Sequence, residues 1–169
     1  MGTQNLCMMT ANRIIIMAIL AIVACAAIMA GTLSHAQQTQ QVQKPVTAQV
    51  STSDIDSALA KGPVFVEFET ASCHYCQQQK PISQGLASDY AGKVTFFFVD
   101  ANQNRDLARE FQVTGVPQMN VIASGSNGKY TYIDQNGATS DSVTASRFIG
   151  LTQKDALKTA LDAALKNRK

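Results

Sequence analysis

The chain of 169 residues contains no tryptophan, two histidines and four cysteines, and only 15% of its residues are charged. Four cysteines are too few for a scaffold held together by disulfides. Zinc wants four ligands, and one close cysteine pair with two histidines, one of them the remote His35, is a poor set; no metal site is expected. Fourteen Lys and Arg against twelve Asp and Glu leave a net charge of +2 with no basic run, which speaks against a nucleic-acid partner. What is plentiful is apolar: 46% of residues are hydrophobic, more than a disordered chain carries. The length suits one ordinary domain with additional segments, and no internal repeat is visible.

Residues 1–36 differ from the rest. Ile14 to Ala30 is a run of 17 residues without a charge, preceded by Arg13 and followed by GTLSHA. A positive flank, an apolar core and a small-residue exit at Ser34-His35-Ala36 form a secretory signal pattern. The core is longer than a signal usually carries and reaches the lower limit for a spanning helix, so a retained membrane anchor through 14–30 is the second reading. Lipidation at Cys25, after Ile22-Val23-Ala24, is a third. All three export the remainder of the chain, with Arg13 left in the cytoplasm. Residues 37–45, QQTQQVQKP, have no apolar face and read as a linker spanning about 15–18 Å. The folded domain is then 46–169.

Within it, strands and helices alternate. Val46–Val50 reads as a weak strand, and Ser53 as the cap of a helix to about Lys61. Val64–Phe68, rich in β-branched and aromatic residues, reads as a central strand. Cys73 to about Tyr90 reads as a helix kinked near Pro81, Lys93–Val99 as a second buried strand, and Asn102–Phe111 as a short helix. Met119–Ala123 is a strand, turned back at Asn127-Gly128 to pair with Lys129–Ile133. A final helix runs from about Thr152 to Leu165, with apolar residues at helical spacing. The pattern is α/β: one mixed sheet with helices on both faces.

The chemistry concentrates in Cys73-His74-Tyr75-Cys76. A C-x-x-C that follows a strand and opens a helix reads as a redox pair. Two helical residues three apart have Cα atoms about 5 Å apart, inside the range a disulfide spans. The first cysteine meets free backbone N–H groups and the positive end of the helix dipole, which favour a thiolate. Cys73 is therefore the expected nucleophile and Cys76 the resolving thiol. A purely structural disulfide and half of a zinc site are the competing readings.

Residues 46–169 resemble the thioredoxin-fold family. The resemblance rests on VFVEF, the C-x-x-C, Pro81 five residues after Cys76, Val113-Thr114-Gly115-Val116-Pro117, Asn127-Gly128, and Phe148-Ile149-Gly150 before the last helix. It implies a thioredoxin fold, a cis Val116–Pro117 bond facing the redox pair, a Val116 backbone that receives an extended client, and Gly150 lining the same groove. It also places Glu67 at the family's buried acid, a position usually held by Asp, where a desolvated carboxyl exchanges a proton with Cys76. The competing reading of Glu67 is a strand-end acid that finds solvent or a basic partner.

Departures from the family pattern matter as much. Ser72 stands where Trp is usual. The central dipeptide is His74-Tyr75 rather than Gly-Pro, and Phe96 replaces a lysine often found near the acid. A protonated His74 beside Cys73 stabilises a thiolate, whereas Tyr75 occurs in glutaredoxin-like proteins, so the dipeptide leaves the direction of electron flow open. Residues 134–146 form a longer segment than the family needs, with Asn136-Gly137 as a second turn; it reads as a mobile solvated loop or a partner-binding one.

The expected function is exchange of disulfides with protein thiols outside the cytoplasm, through a mixed disulfide and without a cofactor other than the Cys73–Cys76 pair, in concert with an unknown redox partner. Membrane contact is expected only through 14–30. The alternatives are a reductant specialised for cytochrome c or metallochaperone thiols, a Cu(I)-binding module using the two soft thiolates, and a redox-inactive binding domain.

Overall fold

The computed structural model describes residues 49–168. The apolar run, the linker and the first three residues of the expected strand at 46–50 lie outside the described residues. Gln49 and Val50 are not in a strand; the Val50 N–H donates instead to Asn104 Oδ1 at 2.8 Å.

Ten elements follow: α1 Thr52–Leu59, β1 Val64–Glu69, α2 His74–Asp89, β2 Thr95–Asp100, α3 Arg105–Glu110, β3 Gln118–Ser126, β4 Lys129–Ile133, β5 Thr139–Ser140, β6 Phe148–Ile149 and α4 Lys154–Lys166. The sheet order is β2-β1-β3-β4-β5, and β6 pairs with β3. β1 runs parallel to β2 and antiparallel to β3. A strand flanked on both sides and covered on both faces should be apolar throughout, and all six residues of β1 are buried. This is the thioredoxin fold expected from the sequence, a mixed sheet between two helical layers.

Alternation along the strands sorts the core into two layers. Phe65, Phe96, Phe98, Met119 and Val121 pack with Leu86 of α2 and Leu157, Ala160, Leu161 and Ala164 of α4. Val64, Val66, Phe68, Phe97 and Val99 point the other way, onto Ile55 and Leu59 of α1 and Leu107 and Phe111 beside α3. Hence α2 and α4 cover the face that also holds Glu67 and Glu69, since these share the parity of Phe65.

Turn chemistry fixes the far edge. Asn127 and Gly128 both take positive φ, 52° and 74°, as a two-residue hairpin of the primed type requires, and Ser126 pairs with Lys129. Residues 134–146 are largely solvated, as expected of a surface loop, but are tied by their own hydrogen bonds. Asp134 Oδ1 accepts the N–H groups of Asn136 and Ala138 at 2.8 and 2.9 Å. β5 pairs with β4, Ser146 is fully buried, and Asn120 Nδ2 donates to the Val143 carbonyl at 3.3 Å. The turn at Asn136-Gly137 anticipated this; the Ser146 anchor had no local signature.

The strands and helices begin and end within a few residues of their expected positions, with one instructive shift. The cap of α1 is Ser51, not Ser53. The Ser51 hydroxyl accepts from the Asp54 N–H at 3.3 Å and the Asp54 carboxylate accepts from the Ser51 N–H at 2.9 Å, a reciprocal capping box. Ser53 sits inside the helix. Ser51→Ala should therefore destabilise the fold by about 1 kcal/mol and Ser53→Ala by much less, as read from chemical denaturation of the two variants.

Candidate active site

β1 ends at Glu69, and four residues later Cys73 caps α2 in extended conformation. The first N–H groups of a helix have no partner inside it. Here one of them is met by sulfur: the Cys76 N–H donates to Cys73 Sγ at 3.1 Å. The two cysteines form a disulfide with Cα atoms 5.2 Å apart. Their surroundings differ. Cys73 is half-buried, whereas Cys76 is 2% exposed. An incoming sulfur thus meets Cys73 first, and the helix terminus stabilises the thiolate left there on reduction.

The Val116–Pro117 segment lies directly opposite. The Val116 carbonyl oxygen is 3.4 Å from Cys73 Sγ, and the Val116–Pro117 peptide bond is cis. Gly150 flanks it, its N–H donating to the Pro117 carbonyl at 2.8 Å. Gly150 has a φ of +79°, which favours glycine, and its Cα faces open space with nothing within 4 Å of an added Cβ. The large apolar side chains that are exposed among the described residues are Tyr75 (59%), Ile149 (48%) and Leu151 (39%). All three belong to the C-x-x-C or to the Gly150 segment, so the apolar rim and the disulfide coincide. Ile149 and Leu151 had no place among the expected site residues, although they flank Gly150 in sequence.

His74 is exposed, and its Nε2 lies 2.7 Å from the side-chain nitrogen of Gln78 one turn along. Its ring meets that of Tyr75 edge-on at 5.8 Å between centroids.

On β1, six residues before Cys73, Glu67 is fully buried. Its register neighbours are Phe98 on β2 and Met119 on β3, and neither carboxyl oxygen has a hydrogen-bond partner of ordinary geometry. Burial alone pushes its pKa up, because the charged form loses hydration; the Ser83 hydroxyl and the more distant Lys80 ammonium partly counter this, Glu69 adds to it, and the result is about 7. That value suits a group that trades protons near neutral pH. The solvent-seeking reading of Glu67 is thereby excluded. Glu69 is also raised, chiefly by burial. A small cavity of about 200 Å³ beside Cys76 is lined by Glu69, Thr70, Ala71, Gln77, Lys80 and Asp100.

The structure therefore brings together Cys73, Cys76, His74, Tyr75, Val116, Pro117 and Gly150 at one end of the sheet, while Glu67 lies buried within the central strand. Among the described residues no cluster of three His, Cys, Asp or Glu stands ready to hold a metal ion, and no helix is long and apolar enough to cross a membrane.

Comparison with known proteins agrees with this geometry. Residues 46–162 match the family model described as Thioredoxin. A thioredoxin of Staphylococcus epidermidis is 32% identical over 76 residues, covering 45% of this chain and 73% of that protein. One from Staphylococcus aureus is 30% identical over 76 residues with the same coverage. Among solved structures, a variant thioredoxin from Halobacterium salinarum superposes with a TM-score of 0.52 at 21% identity, covering 70% of this chain and 88% of that one. A chloroplastic thioredoxin z gives 0.51 at 16%, covering 70% and 94%.

A buried acid whose pKa is raised from 4.5 to about 7 binds its proton more tightly folded than unfolded. Its contribution to stability is complete below about pH 4.5 and is lost as pH rises through about 7, amounting to about 3 kcal/mol across that window. Glu67→Gln should remove this slope: the stability of wild type relative to the variant should fall between pH 4.5 and 8, measured by denaturation at a series of pH values.

Proposed function

The chain belongs to the thioredoxin family and is a thiol–disulfide oxidoreductase, and from that premise we propose that it exchanges disulfides with protein clients outside the cytoplasm. The observation that carries the chemistry is the asymmetric Cys73–Cys76 disulfide at the start of α2, one sulfur half-buried and the other enclosed. The family works without a bound cofactor, the cysteine pair itself carrying the two electrons.

In the reducing direction, the Cys73 thiolate attacks one sulfur of a client disulfide. The client S–S bond breaks, a mixed disulfide forms, and the departing client thiolate takes a proton from solvent. The Cys76 thiol then gives its proton to ionised Glu67 and attacks Cys73 Sγ. The second client thiolate leaves, and the Cys73–Cys76 disulfide is restored with two electrons passed to the client. The same steps run backwards when the client is a dithiol and the pair is oxidised, the direction following the relative potentials.

The client is read as an extended segment lying along Val116, between Gly150 and the apolar rim of Tyr75, Ile149 and Leu151. The Val116 carbonyl beside Cys73 and the open backbone at Gly150 support this; main-chain contacts of that kind accept many sequences. His74, exposed beside Cys73, supplies positive charge to the thiolate when protonated. Export is supported by Arg13, the apolar run at 14–30 and the exit at 34–36. With the signal removed, only Cys73 and Cys76 remain, leaving no third thiol to mispair.

Alkylation of the reduced protein near neutral pH should label Cys73 on the order of tenfold faster than Cys76, as read by peptide mass mapping; equal labelling would reverse the roles. Cys76→Ser should accumulate mixed disulfides with clients, seen as bands that vanish on reduction. Cell fractionation should place the protein outside the cytoplasm, either beginning at Gln37 or retained whole in the membrane. A cytosolic protein that keeps residues 1–36 would contradict export.

A further inference from the structure

One stripe of α2 is polar where it meets the sheet. Cys76, Gln79 and Ser83 lie at i, i+3 and i+7, on one helix face, and all three are buried, Gln79 and Ser83 completely. A buried amide and hydroxyl need partners, and here the partners have a fixed direction. The backbone N–H of Thr152 donates to Gln79 Oε1 at 2.8 Å. A main-chain N–H can only donate, so the Gln79 amide is oriented with its NH₂ pointing away. That NH₂ donates to Ser83 Oγ at 3.2 Å. Ser83 is then an acceptor on that side and keeps its own hydrogen free; its hydroxyl acts on Glu67 in the direction that favours the carboxylate, although no hydrogen bond of ordinary geometry reaches either Glu67 oxygen.

The chain continues from Thr152 in the opposite direction. The Thr152 hydroxyl donates to the Gly150 carbonyl at 3.1 Å, and the Gly150 N–H donates to the Pro117 carbonyl at 2.8 Å. One connected set of hydrogen bonds thus runs from the segment facing Cys73 to Ser83, whose hydroxyl acts on the buried Glu67.

We infer that Gln79 and Ser83 are positioning residues for Glu67, forming a one-way donor chain that starts at the Thr152 amide beside the client groove and ends at the buried carboxyl. Aligned donors present the positive end of each dipole to the acid and polarise one another. They favour its carboxylate, the form that accepts the Cys76 proton, against the desolvation that opposes it. The other ionisable groups that act on Glu67 are Glu69 on its own strand and Lys80 on α2. Asp100 on β2 faces Glu69, and the nearest β2 and β3 residues, Phe98 and Met119, carry no charge. The functional meaning of the chain rests on Glu67 being the proton acceptor for Cys76; its existence does not.

The test is a carbon-13 NMR titration of the Glu67 side-chain carboxyl in the oxidised full-length protein, with amide hydrogen exchange at Thr152. Ser83→Ala should raise the Glu67 midpoint by about half to one pH unit, the worth of one buried neutral hydrogen bond. Gln79→Leu should speed exchange of the Thr152 N–H, while Ser83→Ala leaves it slow. A Glu67 midpoint that stays or falls in Ser83→Ala overturns the inference, as does unchanged Thr152 exchange in Gln79→Leu. No turnover enters either reading. The proton role of Glu67 is read separately, from the pH profile of Cys76 attack in Glu67→Gln.

Discussion

The unpaired N–H groups at the start of α2 are the constraint on which the site depends. Every helix leaves such donors, and most are met by a Ser, Thr, Asp or Asn side chain, as Ser51 does for α1. At α2 the capping atom is a sulfur. Cys73 thus combines two properties that a helix interior cannot supply together: an approachable side chain and a local field that favours negative charge. The C-x-x-C spacing then places the second sulfur one turn in, where the same helix buries it. The asymmetry between nucleophile and resolving thiol follows from the position of the pair alone.

The rest of the sheet makes that position definite. β1 is buried on both faces and ends at Glu69, so the short link to Cys73 starts from a fixed point. The antiparallel ladder of β1 with β3 begins at Gln118, which sets Val116 and Pro117 just beyond it, against Cys73. β6 pairs with the same end of β3 and delivers Gly150. Three separate segments therefore converge through strand pairing, and Glu67, in the middle of the central strand, is desolvated by the same packing. In the proposed exchange, helix terminus and buried acid are complementary: one lowers the demand for a proton at Cys73, and the other takes the proton that Cys76 must release.

What the sequence made legible follows from the range of each signal. The strand Val64–Phe68, the C-x-x-C at a strand–helix junction and the Asn127-Gly128 turn are local chemistry, and each stands where expected. Burial of Glu67 was legible from its apolar neighbours. The helix cap was misplaced by two residues because Ser51 and Ser53 are alike in sequence, each with an aspartate three residues on, Asp54 and Asp56; the Asp56 carboxylate accepts instead from the Asn127 N–H and the Tyr130 hydroxyl, contacts that only the fold reveals. β6 is two residues long, too short for any periodicity, and its pairing is a property of β3. Gln79 lies in the polar run Gln77-Gln78-Gln79, and nothing local distinguishes it from its solvent-facing neighbours. Its spacing from Cys76 and Ser83 does so, once the buried face of α2 is known.

The central claim is that the start of α2 sets the two sulfurs apart. Its most direct measurement is an NMR titration of the Cys73 and Cys76 Cβ resonances in the reduced protein. The account predicts that Cys73 titrates below the ordinary thiol value of about 8.5 and that enclosed Cys76 titrates above it. Two thiols titrating together near that value, or a Cys76 more acidic than Cys73, would contradict it.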